Sequence, residues 1–177
     1  MSPAILTKEL MPCLQLTWSF ERPLAFFITF GTYGTWLHGD ARGSIDRFHN
    51  RYGTPRLPPN DLRESYERSL LKRRPLRLSQ RQRKVVMDAI KEISREKTWG
   101  LWAVNARATH VHTVVTADWD GKKVRSALKA RATKNMREQG CWREDYSPWA
   151  GRGSCRKLWR HEDVINAVVY VQYEQGE

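Results

Sequence analysis

The spacing of hydrophobic and polar residues changes along the chain, and each spacing predicts either a strand or a helix. Residues 24–33 are almost continuously apolar and rich in β-branched and aromatic side chains, which predicts a strand covered on both faces. Residues 101–106 and 108–117 are the next strand-forming runs, and their short connection predicts an antiparallel pair. A short edge strand is predicted near 155–159, after a loop rich in Gly, Arg and Trp.

Apolar residues return at helical spacing between these strands. Ser79 and Gln82 form a capping-box pattern, and the apolar stripe behind them predicts a long helix that ends near Trp99. A second amphipathic helix is predicted over 122–139, and a terminal helix is predicted to begin after Arg160. The terminal helix has two candidate faces: Ile165, Val168, Val169 and Gln172 on one side, and Asn166, Tyr170, Tyr173 and Glu174 on another.

The order of these elements is typical of an α+β domain. It predicts a ferredoxin-like antiparallel sheet of about four to five strands with helices packed on it. Residues 1–22 are expected to form a loosely ordered lead-in, and 23–177 a single domain. Within that domain, 34–78 is predicted to be an irregular insertion that contains one short helix at 61–74, ended by Pro75.

Composition adds an expected partner. The 177 residues include 31 Lys and Arg against 19 Asp and Glu, a formal charge of +12, which favours a polyanion such as nucleic acid. No apolar run approaches the length of a membrane span and no signal-peptide pattern opens the chain, so we expect a soluble, cytoplasmic protein without a membrane partner. The three cysteines have no Cys-x-x-Cys spacing, which argues against a zinc ribbon or a disulfide framework.

Positive charge is concentrated on the predicted helix at 122–139. Like charges at i, i+4 destabilise a helix unless something negative offsets them, so we expect this surface to contact phosphate, although a solvated face is the alternative. The candidate DNA-binding residues are Lys122, Lys123, Arg125, Lys129, Arg131, Lys134 and Arg152.

Residues 108–117 carry the pair of side chains with the clearest chemistry. Side chains two apart on a strand point to one face, so His110 and His112 are expected to lie side by side while Val111 points the other way. Neutral imidazoles are good ligands for divalent ions, and two of them form half of a metal site. The alternative is that the pair decorates or fills an amphipathic strand. His38 and His49, in the insertion, are further candidate ligands or bases.

The terminal helix supplies a candidate partner for this pair. A C-terminal helix packed over the centre of such a sheet would bring Tyr170 to the two histidines, with Glu174 one turn further on as a third ligand. Tyr173 is the competing tyrosine.

Taken together, these features resemble the HUH single-tyrosine transposases, and within them the group associated with repetitive extragenic palindromes (REP). The resemblance spans roughly residues 24–176. It rests on the aromatic first strand, the His110-Val111-His112 motif, the basic helix behind it, the run 170–176, and the loop 34–40.

The resemblance implies an HUH endonuclease fold and a transposase that nicks and rejoins hairpin-containing single-stranded DNA through a 5′-phosphotyrosine intermediate. Tyr170 would be the nucleophile, and His110 and His112 would bind Mg²⁺ or Mn²⁺. Family members often place Gln or Asn four residues after the tyrosine, whereas this chain has Glu174 there and Gln175 next, so either is the expected third ligand. Relatives use both self-contained and partner-completed sites, which makes a homodimer possible.

Two other functions fit the same residues. A replication initiator or relaxase-type nickase shares the chemistry, although such chains are usually longer. A domesticated, non-catalytic nucleic-acid-binding protein would keep the sheet and the cations and lose the metal site. Formation of a covalent DNA adduct separates the enzymes from the binding protein.

Overall fold

The computed structural model describes residues 22–44 and 54–173. Nearly all of the predicted lead-in at 1–22 therefore lies outside the described residues. The elements in chain order are β1 (Ala25–Gly31), α1 (Asp61–Ser69), α2 (Gln80–Glu96), β2 (Gly100–Ala106), β3 (His110–Thr116), α3 (Gly121–Glu138), β4 (Ser154–Leu158) and α4 (His161–Gln172).

The strands form one four-stranded antiparallel sheet in the order β2-β3-β1-β4. Two strand-helix-strand units, β1-α2-β2 and β3-α3-β4, interleave in it, which is the ferredoxin-like arrangement. The predicted α+β class is therefore confirmed, with four strands in the described part of the chain. Strand β1 is a central strand, and core residues pack on both of its faces. This burial on both sides explains its nearly continuous apolar sequence.

Helices α2 and α3 cover one face of the sheet, and the larger core lies there. Its fully buried side chains come from the two central strands and from both helices: Ile28, Phe30, Val111, Val115, Val86, Ile90, Leu128 and Met136. Ser79 caps α2 with the predicted capping box, in which its hydroxyl accepts from the Gln82 N–H and the Gln82 side chain accepts from the Ser79 N–H.

Helix α4 covers the opposite face. Val164, Ala167 and Val171 are its buried residues, and they pack on Ala25, Ala103, Val114 and Leu158. On the side of the helix that carries Ile165, Val168, Val169 and Gln172, Ile165 and Val169 are exposed and Val168 is partly buried. The positions that meet the sheet are spaced three and four residues apart through 164, 167, 168 and 171.

The insertion contains the expected short helix, but α1 ends at Ser69 rather than near Pro75. The chain leaves the helix because it returns to Tyr33: the Lys72 N–H donates to the Tyr33 hydroxyl at 3.1 Å, and the Leu76 N–H donates to the Tyr33 carbonyl at 2.9 Å. Over the described ranges, none of the helices combines the length and the apolar character that crossing a bilayer requires.

The start of α3 provides a test of the packing. A methyl group at Gly121 would collide with Cys155 Sγ and would lie 2.7 Å from the Phe26 ring. We expect Gly121→Ala to lower the free energy of unfolding by about 1–3 kcal/mol, although Ala is the better helix former. Gly151→Ala, where nothing lies within 4 Å, should change it by less than about 0.5 kcal/mol. Urea denaturation measures the free energy of unfolding of both variants, and equal values for Gly121→Ala and Gly151→Ala would contradict this packing.

Candidate active site

The two histidines lie side by side on the face of the sheet that α4 covers. Their ring centroids are 4.6 Å apart, with an angle of 78° between the ring planes. Each Nδ1 is hydrogen-bonded to a threonine hydroxyl: His112 to Thr29 at 2.8 Å and His110 to Thr109 at 3.0 Å. These bonds orient both rings and leave Nε2 as the nitrogen that would meet a cation.

Burial keeps one of these imidazoles neutral. His112 is only 7 % exposed. Loss of solvation, assisted by the nearby charges of His110 and Arg107, lowers its pKa to about 3. A neutral imidazole retains the lone pair that a divalent cation needs, so the chemistry of this pair fits the predicted metal.

Tyr170 lies beside the pair. Its ring centroid is 5.8 Å from that of His112, with the two planes at 84°, and equally far from that of Phe27. Phe27 in turn stacks on His112 at 5.6 Å. The Tyr170 side chain is 40 % exposed, so a large substrate has access to it. Tyr173 is 76 % exposed, and in the described part of the chain its ring has no aromatic contact with the histidines.

The position of Tyr170 depends on how α4 is attached to the sheet. Val171, the next residue, is fully buried, and its carbonyl accepts a hydrogen bond from Asn105 Nδ2 at 3.0 Å. Asn105 pairs with His112 in the register of β2 and β3, and Thr29 pairs with His112 from β1. Sequence reasoning missed Asn105 and Thr29, although each is a polar side chain in a strand of mainly apolar residues.

The predicted third ligand cannot be compared with the pair, because Glu174 and Gln175 both lie outside the described residues. Residues 22–44 and 54–173 contain no group of three or more His, Cys, Asp or Glu side chains that would hold a metal ion. The described part of the site is therefore the two imidazoles, the tyrosine and the side chains that orient them.

The other two histidine candidates lie in the insertion. His38 precedes Gly39, whose carbonyl accepts from the N–H of Asn60 at the start of α1. The Nδ1 atom of His38 is buried without a hydrogen-bond partner among the described residues. His49 lies outside the described residues.

The basic helix α3 lies on the face opposite the histidines, and several of its cations have partners within the protein. Arg131 pairs with Glu92 at 3.1 Å and with Glu96, both on α2, and Lys134 lies 3.6 Å from Glu138. These carboxylates offset charge that the sequence analysis assigned to bound phosphate. The DNA contact expected of Arg131 stays a prediction.

Two more cations of α3 hold the loop that leads into β4. Lys129 donates to the carbonyls of Ala150 at 2.8 Å and Arg152 at 3.1 Å, and Arg125 donates to that of Gly153. Burial, with the neighbouring Arg125 charge, lowers the pKa of Lys129 to about 8.

The remaining DNA-binding candidates, Lys122, Lys123 and Arg152, are exposed. Arg152 is two residues from Ser154, which pairs with Thr29 beside His112. A cation that sequence reasoning did not single out, Arg156, pairs with Phe27 and so shares the face of the histidines.

Comparison with known proteins shows a structural likeness. No family model matches the chain, and no curated protein matches it. A solved structure that resembles it is that of a REP-associated tyrosine transposase bound to a REP hairpin, with a TM-score of 0.45 and 14 % identity. The match covers 85 % of this chain and 65 % of that one, so this chain spans less than two thirds of its neighbour's length. This likeness does not show membership of a family, and the functional argument therefore rests on the site.

The depressed pKa of His112 makes stability depend on pH. The unfolded chain binds a proton here near pH 6.5, whereas the folded chain does so only near pH 3, so stability is lost as the pH falls below about 6.5. Between about pH 7.5 and 5.5 this residue should lower the free energy of unfolding by about 1.4 kcal/mol. Urea denaturation at both values should show that His112→Gln lacks this component, while His161→Gln, an exposed site on α4, retains it. Equal pH dependence in all three proteins would contradict the assignment.

The Asn105 hydrogen bond predicts how firmly α4 is held. Asn105→Ala should lower the free energy of unfolding by about 1 kcal/mol and speed amide hydrogen exchange in α4, because the Val171 carbonyl loses its donor. Asn166→Ala, on the exposed side of α4, is the matched control and should leave this exchange unchanged. Unaltered exchange in Asn105→Ala would show that apolar packing alone holds the helix.

Proposed function

We propose that this protein is a metal-dependent endonuclease and strand transferase that acts on single-stranded, hairpin-containing DNA and uses Tyr170 as its nucleophile, in the manner of an HUH single-tyrosine transposase. The observation that carries this proposal is the contact between Tyr170 and His112, two residues far apart in sequence whose rings meet on one sheet face. A partly exposed phenol beside paired, oriented imidazoles suits attack on a phosphodiester.

The proposed reaction has two displacements at one phosphorus atom. The Tyr170 oxygen attacks the scissile phosphate, the bond from phosphorus to the 3′ oxygen breaks, and that oxygen leaves as a 3′ hydroxyl while the phenol gives up its proton. The product is a 5′-phosphotyrosine bond. In the second displacement a 3′ hydroxyl attacks the same phosphorus and releases Tyr170, so no external energy source is required.

His110 and His112 would hold the cation, Mg²⁺ or Mn²⁺. When bound, the cation would supply Lewis-acid polarisation of the scissile phosphate. The threonine hydroxyls orient both rings through their Nδ1 atoms, which leaves the two Nε2 atoms available together. We propose that Glu174 or Gln175, which follow α4 closely in the sequence, supplies the third ligand.

Two further features support this function. The formal charge of +12 favours binding to a polyanion, and we assign DNA contacts first to the exposed candidates Lys122, Lys123 and Arg152. Arg156 adds a cation on the face of the histidines, because it pairs with Phe27 across β1 and β4.

The test is covalent capture of DNA. Incubation with a labelled single-stranded hairpin oligonucleotide and Mn²⁺, followed by a denaturing gel, should give an adduct that EDTA abolishes. Tyr170→Phe should lower its yield by about 10³-fold or more, because the nucleophile is lost while the packing of the ring remains. Tyr173→Phe is the matched control and should retain the adduct.

The outcomes assign the nucleophile and separate an enzyme from the non-catalytic binding protein. An adduct lost in Tyr173→Phe and kept in Tyr170→Phe would assign the nucleophile to the other tyrosine. Binding of the oligonucleotide with no adduct under any divalent cation would contradict the enzyme and favour the non-catalytic binding protein.

A further inference from the structure

A basic groove runs between α2 and the edge strand β2. One end is a cleft of about 720 Å³, lined by Arg81, Arg83, Lys84 and Met87 of α2 and by Asn105 and Ala106 of β2. A second cleft, of about 550 Å³, is lined by Lys91, Ser94, Arg95, Trp99 and Leu101. Both clefts lie along the seam between α2 and β2, because each is lined by residues of both elements. Together they form what we call the α2–β2 groove, which follows a helix about 25 Å long.

Five cations line this groove, and no carboxylate appears among its lining residues. Arg81 donates one N–H to the Gln139 carbonyl, and Arg95 Nε lies 3.5 Å from the Lys91 carbonyl. Asp118 accepts from Trp99 Nε1 at 3.3 Å at one end of the groove. On α2, Asp88 lies 2.9 Å from Lys84 and 3.7 Å from Lys91. All three side chains of that cluster are largely exposed, and exposed ion pairs are weak, so a stronger anion would displace them readily.

Two arginines provide an independent indication of a missing acceptor. The Nε atoms of Arg83 and Arg107 are buried and have no hydrogen-bond partner among the described residues. Arg83 lines the groove, and Arg107 directly follows its last lining residue, Ala106. Buried donors normally have an acceptor, and the oxygens of a phosphodiester fit a guanidinium well.

The groove ends at the candidate active site. Asn105 lines the groove, pairs with His112 in the sheet register, and donates to the last turn of the helix that carries Tyr170. Arg107 opens the turn between β2 and β3, where its N–H donates to the His110 carbonyl at 2.8 Å. An anion chain bound along the groove would therefore arrive beside the tyrosine and the histidines.

We propose that the α2–β2 groove binds the phosphodiester backbone of the single DNA strand that continues from the scissile phosphate. This inference rests on the proposed function and adds a strand-binding surface that neither the charge of α3 nor the histidine motif indicates.

Aromatic rings at the far end of the groove suit unpaired bases. Trp119 is the exposed ring there, at 40 %; it contacts the buried Trp99, which lines that end, edge-on at 5.5 Å between centroids, and Lys97 Nζ lies 5.2 Å from the centre of the Trp119 ring. Trp102, on β2 itself, is 57 % exposed. Bases of a single strand stack on such rings without sequence preference, whereas duplex bases are already stacked on each other.

The first test measures binding of a fluorescent oligothymidylate of about 12 nucleotides by anisotropy, in EDTA and over a range of salt concentrations. Arg83→Gln combined with Arg107→Gln should weaken binding by about 10-fold or more and lower the salt slope by about 0.7 for each phosphate that the groove no longer neutralises. The matched control is Arg143→Gln combined with Arg63→Gln, two exposed arginines outside the groove, which removes the same charge and should change binding by less than about 3-fold.

A second measurement uses the unaltered protein, so it does not depend on whether a variant folds. The side-chain Nε–H signals of Arg83 and Arg107 in a ¹⁵N NMR spectrum, assigned by single substitution, should shift on addition of oligothymidylate. Unshifted signals at saturating oligothymidylate would overturn the proposal. So would equal weakening of binding in the groove variant and the control, or an equal loss of affinity for a duplex of the same length.

These outcomes are separate from those of the proposed function. If the groove variant loses oligothymidylate binding and the unaltered protein forms no adduct, the groove proposal stands and the nuclease proposal is contradicted. If the groove variant forms the adduct at the normal rate with a hairpin that carries a single-stranded extension, the nuclease proposal stands and the groove proposal is contradicted.

Discussion

The packing of α4 on the sheet is the constraint on which the rest of the site depends. Strand alternation places His110 and His112 on one face of β3, and nothing local brings a nucleophile to them. Helix α4 packs on that face through three small apolar side chains, Val164, Ala167 and Val171. Asn105 donates a hydrogen bond to its last turn. Tyr170 meets His112 only because its neighbour Val171 is buried.

One face of the sheet carries most of the core, and the other carries the candidate active site. Helices α2 and α3 bury the larger core on the first face, and several of their cations form ion pairs or hold a loop instead of being free to contact DNA. The other face carries only α4 among the described elements, so the tyrosine stays partly exposed while His112 is almost fully covered. The proposed groove lies at the edge where these two faces meet, and it connects cations on α2 to the histidine side through Asn105.

Local signals predicted much of the fold. Apolar runs placed the four strands, the Ser79 capping box placed the start of α2, and alternation placed the two histidines together. Features that depend on distant packing were not predictable in this way. The sequence did not show which side of α4 meets the sheet, because apolar residues lie on more than one side of that helix, and the partners of Arg131 come from another helix. The roles of Asn105, Arg83 and Arg107 depend on residues that are distant in sequence and adjacent only in the folded sheet, so the sequence did not indicate them.

The central claim is that the Tyr170 phenol forms the covalent bond to DNA. The most direct measurement is tandem mass spectrometry of the adduct after exhaustive nuclease digestion and proteolysis, which locates the residual nucleotide on one side chain. The account predicts a 5′-phosphonucleotide on Tyr170 and on no other residue. A modified Tyr173, or a nucleotide on any other side chain, would contradict it.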